Sequence, residues 1–141
     1  MNEWLLRHSM QAQASGSAKT FVVLDGNRVA GFFSLTVGQI NPGDAPERVG
    51  KGMGRYPIPV VILARLAVSK TDQGKGIGRG MLQDAVRRTL LISEHAGIRA
   101  ILTHPIDADA ERFYERYGFT ASPVREGQLV LLLKDTKGSK V

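Results

Sequence analysis

Four glycines stand at every second position from Gly74 to Gly80, between an apolar segment and a helical pattern in ARLAVSKTDQGKGIGRGMLQDAVRR. Glycine inside a strand or helix costs about 0.5–1 kcal/mol against alanine, so this spacing indicates an unusual turn or a ligand in contact with the main chain. A strand that ends at such a turn before a helix directs unpaired N–H groups and the positive end of the helix dipole to one spot, which suits a phosphate. A flexible turn without a ligand is the alternative.

The spacing of these glycines excludes two common phosphate-binding loops. The P-loop pattern G-x-x-x-x-G-K-[ST] does not occur in the chain. The dinucleotide fingerprint G-x-G-x-x-G fails because Arg79 and Met81 stand where its third small residue belongs. Lys75 and Arg79 are candidates to pair with phosphate oxygens, although basic residues beside glycines are often merely solvated.

Hydrophobic periodicity predicts the strands that position this turn. The segments TFVVL and VAGFFSLTV flank DGNR, which predicts two antiparallel strands joined at Asp25 to Asn27. The run VVILARLAV after Pro59 predicts a central strand buried on both faces, and IRAILTH and QLVLLLK predict two more strands. An amphipathic helix follows the glycines and ends near Gly97.

Two further helices and one long loop complete the prediction. Asn2 caps a helix through about Gln13, and Asp107 caps a helix in PIDADAERFYERYGF with Gly118 just past its end. The stretch from Gly38 to Pro59 lacks periodicity and is predicted as a loop. A strand, helix, strand order implies a parallel pair and the hairpin implies antiparallel pairing. The fold class is therefore α/β (α+β), with a mixed central β-sheet flanked by helices.

Length and composition limit the possible chemistry. The 141 residues predict a single domain over 1–141 with a polar tail from about residue 135. The absence of cysteine excludes disulfides and thiol catalysis, and three scattered histidines disfavour a metal site. No apolar run approaches the roughly 20 residues that span a bilayer, and the N-terminus lacks a signal-peptide pattern, so we expect a cytoplasmic protein without membrane contact. The net charge of +6 favours anionic partners such as phosphorylated cofactors or nucleic acid.

The segment Gln73 to Gly78 resembles the Q/R-x-x-G-x-G/A signature of the GNAT acetyltransferase superfamily. LARLAV before it and FYERYGF after it stand in the order expected of that family, and the resemblance spans roughly Phe21 to Leu133. The chain is similar above all to the acetyltransferase toxins of type II toxin–antitoxin modules, which acetylate aminoacyl-tRNA. The stretches EWLLRHSMQAQASGSAKTFVV, PIPVVILARLAV and QGKGIGRGMLQDAVRR carry this closer similarity.

The resemblance implies acetyl-CoA as cosubstrate, without a metal. Main-chain groups of one strand would hold the pantetheine arm, and those of the glycine turn would hold the pyrophosphate. The implied residues are Leu66, Ala67, Val68, Gln73, Gly74, Lys75, Gly76, Ile77, Gly78 and Arg79. The implied partners are aminoacyl-tRNA, a cognate antitoxin protein and a second copy in a homodimer. Family members commonly begin with a strand and a helix before the helix predicted at Asn2, so we expect this N-terminal strand and helix to be absent, or the edge element to be supplied by a partner.

The resemblance also assigns Tyr114 as the general acid that protonates the departing CoA thiolate. Its place on an apolar helix face beside Phe113 and Tyr117 allows core packing as the alternative. No carboxylate lies between Val60 and Val68 to act as a base. The α-amine of an aminoacyl ester, with a pKa near or below about 7.7–8.0, needs none, whereas a lysine near 10.4 would. His104 at a strand end is either a base or a structural histidine.

Basic residues in ERVGKGMGRYP predict a surface for tRNA phosphates. Arg48, Lys51 and Arg55 form it, and Arg7 on the first predicted helix extends it; a solvated loop is the alternative. The expected function is acetylation of the α-amine of aminoacyl-tRNA, which inhibits translation. The alternatives are a GNAT enzyme that acetylates a small-molecule or protein amine, and a non-catalytic module that retains the fold.

Overall fold

The apolar, β-branched runs of the chain form one seven-stranded sheet in a computed structural model that describes residues 5–9 and 18–136. The strands are β1 (Leu5–Ser9), β2 (Lys19–Asp25), β3 (Arg28–Ile40), β4 (Ile58–Val68), β5 (Ala100–Thr103), β6 (Thr120–Ala121) and β7 (Leu129–Leu132). They lie in the order β1-β2-β3-β4-β5-β7-β6. Only β4 and β5 pair in parallel, which confirms the predicted mixed sheet.

Helices cover both faces of the sheet. They are α1 (Glu47–Gly50), α2 (Ile77–Ser93) and α3 (Ala108–Arg116), with 3₁₀ turns at Pro42–Asp44, Lys70–Asp72 and Leu133–Thr136. Helices α2 and α3 share one apolar core with Val61 and Leu63 of β4, whereas Val49 of α1 packs against Val60 on the opposite face. No helix among the described residues is both long and apolar enough to cross a bilayer.

The central strand β4 changes character halfway along its length. Residues from Ile58 to Leu63 are buried or nearly so, as the apolar run predicts, but Ala64, Arg65 and Ala67 are exposed. The cause is the length of β5, which pairs with β4 only as far as Leu63. The expected burial on both faces therefore holds only for the first half of the strand.

The segment predicted as a long loop contains more structure than its sequence indicates. Strand β3 continues to Ile40, and α1 follows with Val49 buried against the sheet. The Arg99 guanidinium donates hydrogen bonds to the main-chain carbonyls of Val49 and Lys51, the latter at 2.9 Å. A one-turn helix is too short to show a periodic pattern, so it escapes prediction.

The predicted N-terminal helix is wrong within the described residues. Leu5–Ser9 form β1, which pairs antiparallel with β2 so that Leu5 lies opposite Leu24. The remainder of the predicted helix, at residues 2–4 and 10–13, lies outside the described residues. Ladder hydrogen bonds to β2 override a weak local helix preference here. The edge of the sheet beside β2, which was expected to lack its N-terminal strand, is formed by β1.

The start and end of α3 agree with the sequence prediction. The Asp107 carboxylate accepts a hydrogen bond from the Ala110 N–H at 2.8 Å, which caps the helix. Gly118 follows the last helical residues with φ +99°, a left-handed conformation that favours glycine. This capping fixes the helix that carries Tyr114.

Replacement of Asp107 by Ala should lower the free energy of unfolding by about 0.5–2 kcal/mol, because one helix N–H loses its partner. Chemical denaturation measures the change. Asp107→Asn is the matched control, since its amide oxygen can still accept that hydrogen bond. Equal stability of the Ala and Asn variants would contradict the capping role.

Candidate active site

A gap opens in the sheet where β4 and β5 separate. Their parallel pairing ends at Leu63 and Thr103, and the Thr103 hydroxyl donates a hydrogen bond to the Leu63 carbonyl at 3.0 Å across this point. Beyond it, β4 continues to Val68 with β3 as its only strand neighbour among the described residues. The other main-chain edge of residues 64–68 thus offers N–H and C=O groups to a ligand.

A β-bulge marks the same point on the other side of β4. Ser34 lies opposite Arg65 and Leu35 lies opposite Leu63, so Ala64 is the extra residue. A bulge bends its strand and redirects the residues that follow, and bulges are frequent beside active sites. The bend separates the buried first half of β4 from its exposed second half.

A cavity of about 250 Å³ lies at this gap. Its lining comes from β3, β4, the end of β5 and α3, namely Phe32, Ala64, Arg65, Leu66, Ala67, Thr103, His104, Pro105, Ile106, Ala110 and Tyr114. Arg65 and His104 are exposed there. His104 was a sequence candidate, whereas Arg65 was missed. The available signal was a cation inside an otherwise apolar central strand.

Tyr114 lines the cavity and also belongs to the core. Its side chain is buried, and its ring lies 5.2 Å from the rings of Phe113 and Phe119. Burial raises the pKa of the Tyr114 phenol above its ordinary value of 10, and hydrogen bonding with the Thr103 hydroxyl offsets part of that rise. The phenol therefore keeps its proton at neutral pH. Tyr114 therefore packs in the core and lines the cavity at the same time.

The glycine turn links the exposed half of β4 to α2. Gly74 and Gly76 have φ of +86° and +81°, and Gly76 is the N-cap of α2 without a side-chain capping bond. The first helical hydrogen bond runs from the Gly80 N–H to the Gly76 carbonyl at 3.0 Å. The N–H groups of residues 77–79 consequently have no partner within the helix, which makes this end of α2 suitable for an anion.

The side chains around the turn play different parts. Ile77 is buried in the main core, so only its N–H can face a ligand. A Cβ added at Gly78 would meet the Phe113 ring and the Val68 side chain at 3.7 Å. Gln73 and Arg79 are exposed, and the Gln73 side-chain amide donates a long hydrogen bond of 3.4 Å to the Val68 carbonyl.

The residues predicted to hold the pantetheine arm, 66–68 of β4, are partly buried on one face of the strand and exposed on the other. Leu66 and Val68 pack against the main core, whereas Ala67 is exposed on the other face. Leu66 and Ala67 line the cavity. The structure thus brings the strand, the glycine turn and Tyr114 to one side of the sheet gap.

Lys75 is engaged by a carboxylate that sequence reasoning missed. Its Nζ lies 3.0 Å from Oδ1 of Asp72, which has no exposed surface and also accepts hydrogen bonds from Arg28 and Ser69. Together these donors hold the pKa of the Asp72 carboxyl well below its usual range. The available signal was a single acidic residue in the polar segment SKTDQGKG.

Two of the basic residues predicted to contact tRNA, Arg48 and Lys51, lie away from the cavity that Tyr114 lines. Arg48 pairs with Asp135 through two hydrogen bonds of 2.6 and 2.9 Å, and Arg99 holds Lys51, so both lie where β4 and β5 begin and not where they separate. Lys51 and Arg55 are exposed. Arg7 belongs to β1 and not to a helix. Among the described residues, no group of three or more His, Asp or Glu side chains could hold a metal.

Comparison with known proteins identifies a family, and the curated proteins similar to this chain include a tRNA-acetylating toxin. The model of the acetyltransferase (GNAT) domain matches residues 16–121. A tRNA-acetylating toxin of Mycobacterium tuberculosis (strain ATCC 25618 / H37Rv) is 36% identical over 137 residues, which cover 97% of this chain and 82% of that protein.

Two solved structures share the fold at lower identity. A Tyr-to-Phe mutant of KacT is 23% identical with a TM-score of 0.84, over 91% of this chain and 78% of KacT. AtaT complexed with acetyl-methionyl-tRNAfMet is 20% identical with a TM-score of 0.82, over 90% of this chain and 78% of AtaT.

The family match covers most of the chain and includes the separated strands, the glycine turn and Tyr114. The relative with 36% identity extends the similarity over nearly the whole sequence. The chain belongs to the GNAT acetyltransferase family.

Proposed function

We propose that this protein transfers the acetyl group of acetyl-CoA to the α-amine of an amino acid carried on tRNA. Such a reaction would block translation, so the protein would act as the toxin of a toxin–antitoxin pair. One observation carries the chemistry: the unpaired edge of β4 leads from Tyr114 to a glycine turn at a helix N-terminus. The tRNA-acetylating relative supports the choice of acceptor.

The geometry supports acetyl-CoA binding through the main chain. The pantetheine arm carries amides, which can pair with the free edge of residues 64–68 as a strand would. The pyrophosphate then meets the N–H groups of residues 77–79 at the positive end of α2. The buried Ile77 and the Phe113 ring under Gly78 support this turn from the core side.

The reaction needs three events at the thioester. The neutral amine attacks the carbonyl carbon, main-chain N–H groups near Leu66 to Val68 stabilise the oxyanion, and the C–S bond breaks with the electron pair left on sulfur. Tyr114 gives its proton to that sulfur. Burial raises the pKa of the Tyr114 phenol, and it would also raise the pKa of the CoA thiol beside it. Proton transfer from the phenol to the thiolate therefore stays feasible.

The acceptor amine requires little help from a base. The exposed second half of β4 carries Arg65 and no carboxylate. An α-amine with a pKa near or below about 7.7–8.0 is partly neutral at pH 7, so the site suits an aminoacyl ester better than a lysine side chain. His104 lines the same cavity, and in this proposal its imidazole accepts the proton that the amine releases.

Three partners belong to the proposal. Exposed Lys51 and Arg55 form a surface for tRNA phosphates, a cognate antitoxin would cover the active site, and a second copy of the chain would form a homodimer. The toxin role of the relative supports the antitoxin. The dimer rests on family resemblance alone, and sedimentation measures it. An enzyme that acts on aminoacyl-tRNA would work in the cytoplasm.

Incubation with acetyl-CoA and a pool of charged tRNAs tests the proposed acceptor, with identification of the acetylated amino acid by mass spectrometry. Polyamines and peptides serve as competing acceptors in parallel reactions. Acetylation of those amines in preference to charged tRNA would assign the protein to the small-molecule or protein class instead. No turnover with any acceptor would support the alternative of a non-catalytic module that retains the fold.

Tyr114→Phe should lower turnover by about 10²–10⁴-fold, the usual contribution of a positioned proton donor. The ring and its contacts with Phe113 and Phe119 remain, so the melting temperature and the acetyl-CoA affinity should stay near those of the parent. Because the raised pKa keeps the parent phenol protonated, its pH–rate profile should show no fall from phenol ionisation below about pH 10. Full activity of the variant, or growth arrest at matched expression, would refute the catalytic role.

Gly76→Val should abolish measurable acetyl-CoA binding in calorimetry. The side chain would stand at the helix N-terminus, where the pyrophosphate approaches, and φ +81° strains a β-branched residue. Gly52→Val is the matched control because Gly52 has the same φ and equally open space, but lies in the basic segment. Equal affinities of the two variants would argue against the pyrophosphate assignment.

Lys51→Glu combined with Arg55→Glu should weaken acetylation of charged tRNA. The slope of log tRNA affinity against log salt concentration should also become shallower by about two, since each lost phosphate contact removes about one. Acetyl-CoA affinity should not change. Arg48 is left intact because it also binds Asp135. Lys19→Glu with Arg116→Glu changes the net charge equally at two exposed residues, and an identical salt slope for both double variants would place the tRNA surface elsewhere.

A further inference from the structure

Asp72 is a fully buried carboxylate surrounded by donors. The Arg28 guanidinium donates to both of its oxygens, at 2.9 Å to Oδ1, and Lys75 Nζ lies 3.0 Å from Oδ1. The Ser69 hydroxyl donates to Oδ2. Removal of a carboxylate from water is unfavourable unless it is paired and hydrogen-bonded, and Asp72 meets both conditions.

The partners of Asp72 come from separate parts of the chain. Arg28 opens β3 directly after the β2–β3 turn, whereas Ser69 follows the last residue of β4. The Ser69 N–H also donates to the Ala30 carbonyl at 2.8 Å. Asp72 itself ends the 3₁₀ turn that leads directly into Gln73–Gly76. The entrance to the glycine turn is therefore tied to the β2–β3 hairpin.

Between Asp72 and the buried Ile77, few contacts hold the turn. A Cβ at Gly74 or Gly76 would have no atom within 4 Å, and no side-chain hydrogen bond caps α2. Glycine is free to adopt many backbone conformations, so a turn that contains two of them needs an external constraint to keep its N–H groups aligned. The contacts of Asp72 with Arg28 and Ser69 supply such a constraint at the residue just before the turn.

We propose that Arg28 and Asp72 are positioning residues that hold the glycine turn ready for the diphosphate of acetyl-CoA. The inference rests on the proposed function, since it takes acetyl-CoA as the ligand. A residue of the β2–β3 hairpin thereby controls cofactor affinity without touching the cofactor. Asp72 also occupies one of the three donors of the Lys75 ammonium and leaves two for phosphate oxygens.

For Asp72→Asn, a net-charge argument and the positioning role predict opposite changes in acetyl-CoA affinity. Asp72→Asn removes a negative charge beside a proposed phosphate site and should tighten binding if net charge decided the affinity. The positioning role requires weaker binding instead. The direction of the change therefore distinguishes the two explanations.

The experiment compares acetyl-CoA with acetyl-pantetheine, a thioester without the diphosphate and the nucleotide. Arg28→Gln and Asp72→Asn should each weaken acetyl-CoA binding about tenfold to a hundredfold, as expected for loss of a charged hydrogen bond that orders a loop. Their kcat/KM with acetyl-pantetheine on charged tRNA, and their kcat at saturating acetyl-CoA, should stay near wild type. Asp25→Asn is the matched control, because Asp25 pairs with the same Arg28 at 3.0 Å but is exposed.

A double variant separates positioning from general damage. Arg28→Gln with Asp72→Asn should lose no more acetyl-CoA affinity than the single variant that binds acetyl-CoA more weakly, since both changes break the same bidentate ion pair. Arg28→Lys should restore part of the affinity. If Asp72→Asn does not fold, the half-exposed Arg28 variants carry the test alone.

Three results would overturn the inference: tighter acetyl-CoA binding by Asp72→Asn, equal losses with acetyl-CoA and acetyl-pantetheine, or variants that behave like the wild type. A wild-type protein that does not bind acetyl-CoA overturns the proposed function and this inference together. Normal wild-type binding with unaffected variants overturns the inference alone.

Discussion

The end of the β4–β5 ladder at Leu63 and Thr103 is the constraint on which the rest of the site depends. Backbone N–H and C=O groups in the middle of a sheet need partners, and no strand of the described residues lies beside one edge of residues 64–68. The Thr103 hydroxyl satisfies the Leu63 carbonyl at the point of separation and also contributes to the environment of the Tyr114 phenol. The short length of β5 thus leaves both the open edge of β4 and the cavity that Tyr114 lines, on which the proposed mechanism depends.

The site divides binding and chemistry between different kinds of group. In the proposed mechanism, main-chain groups of β4 and α2 bind the cofactor, and the buried Tyr114 phenol supplies a proton. Of the charged side chains at the glycine turn, Lys75 is engaged by the buried Asp72. Such a design tolerates an apolar central strand without a carboxylate. It suits an acceptor that arrives already neutral.

The features that follow local rules could be predicted from the sequence, and those set by distant contacts could not. The β2–β3 hairpin, the glycine turn and the Asp107 cap each depend on a few neighbouring residues and agree with the structure. The strand at Leu5–Ser9 was predicted as a helix because its pairing partner, β2, decides its conformation. Asp72 was missed because its partner Arg28 is 44 residues away in the chain. The role of Tyr114 came from family resemblance, since spacing alone indicates core packing equally well.

The way in which Arg99 holds the segment after α1 has a consequence for how this protein can diversify. The guanidinium binds main-chain carbonyls of Val49 and Lys51, so this anchor does not depend on the exposed side chains of the segment. Exposed Lys51, Arg55 and Tyr56 can therefore be exchanged with little effect on the folded core. The outer surface can then diverge in charge and shape while the catalytic centre stays constant. In a laboratory setting, this segment is the natural place to graft new recognition sequences onto an unchanged acetyltransferase scaffold.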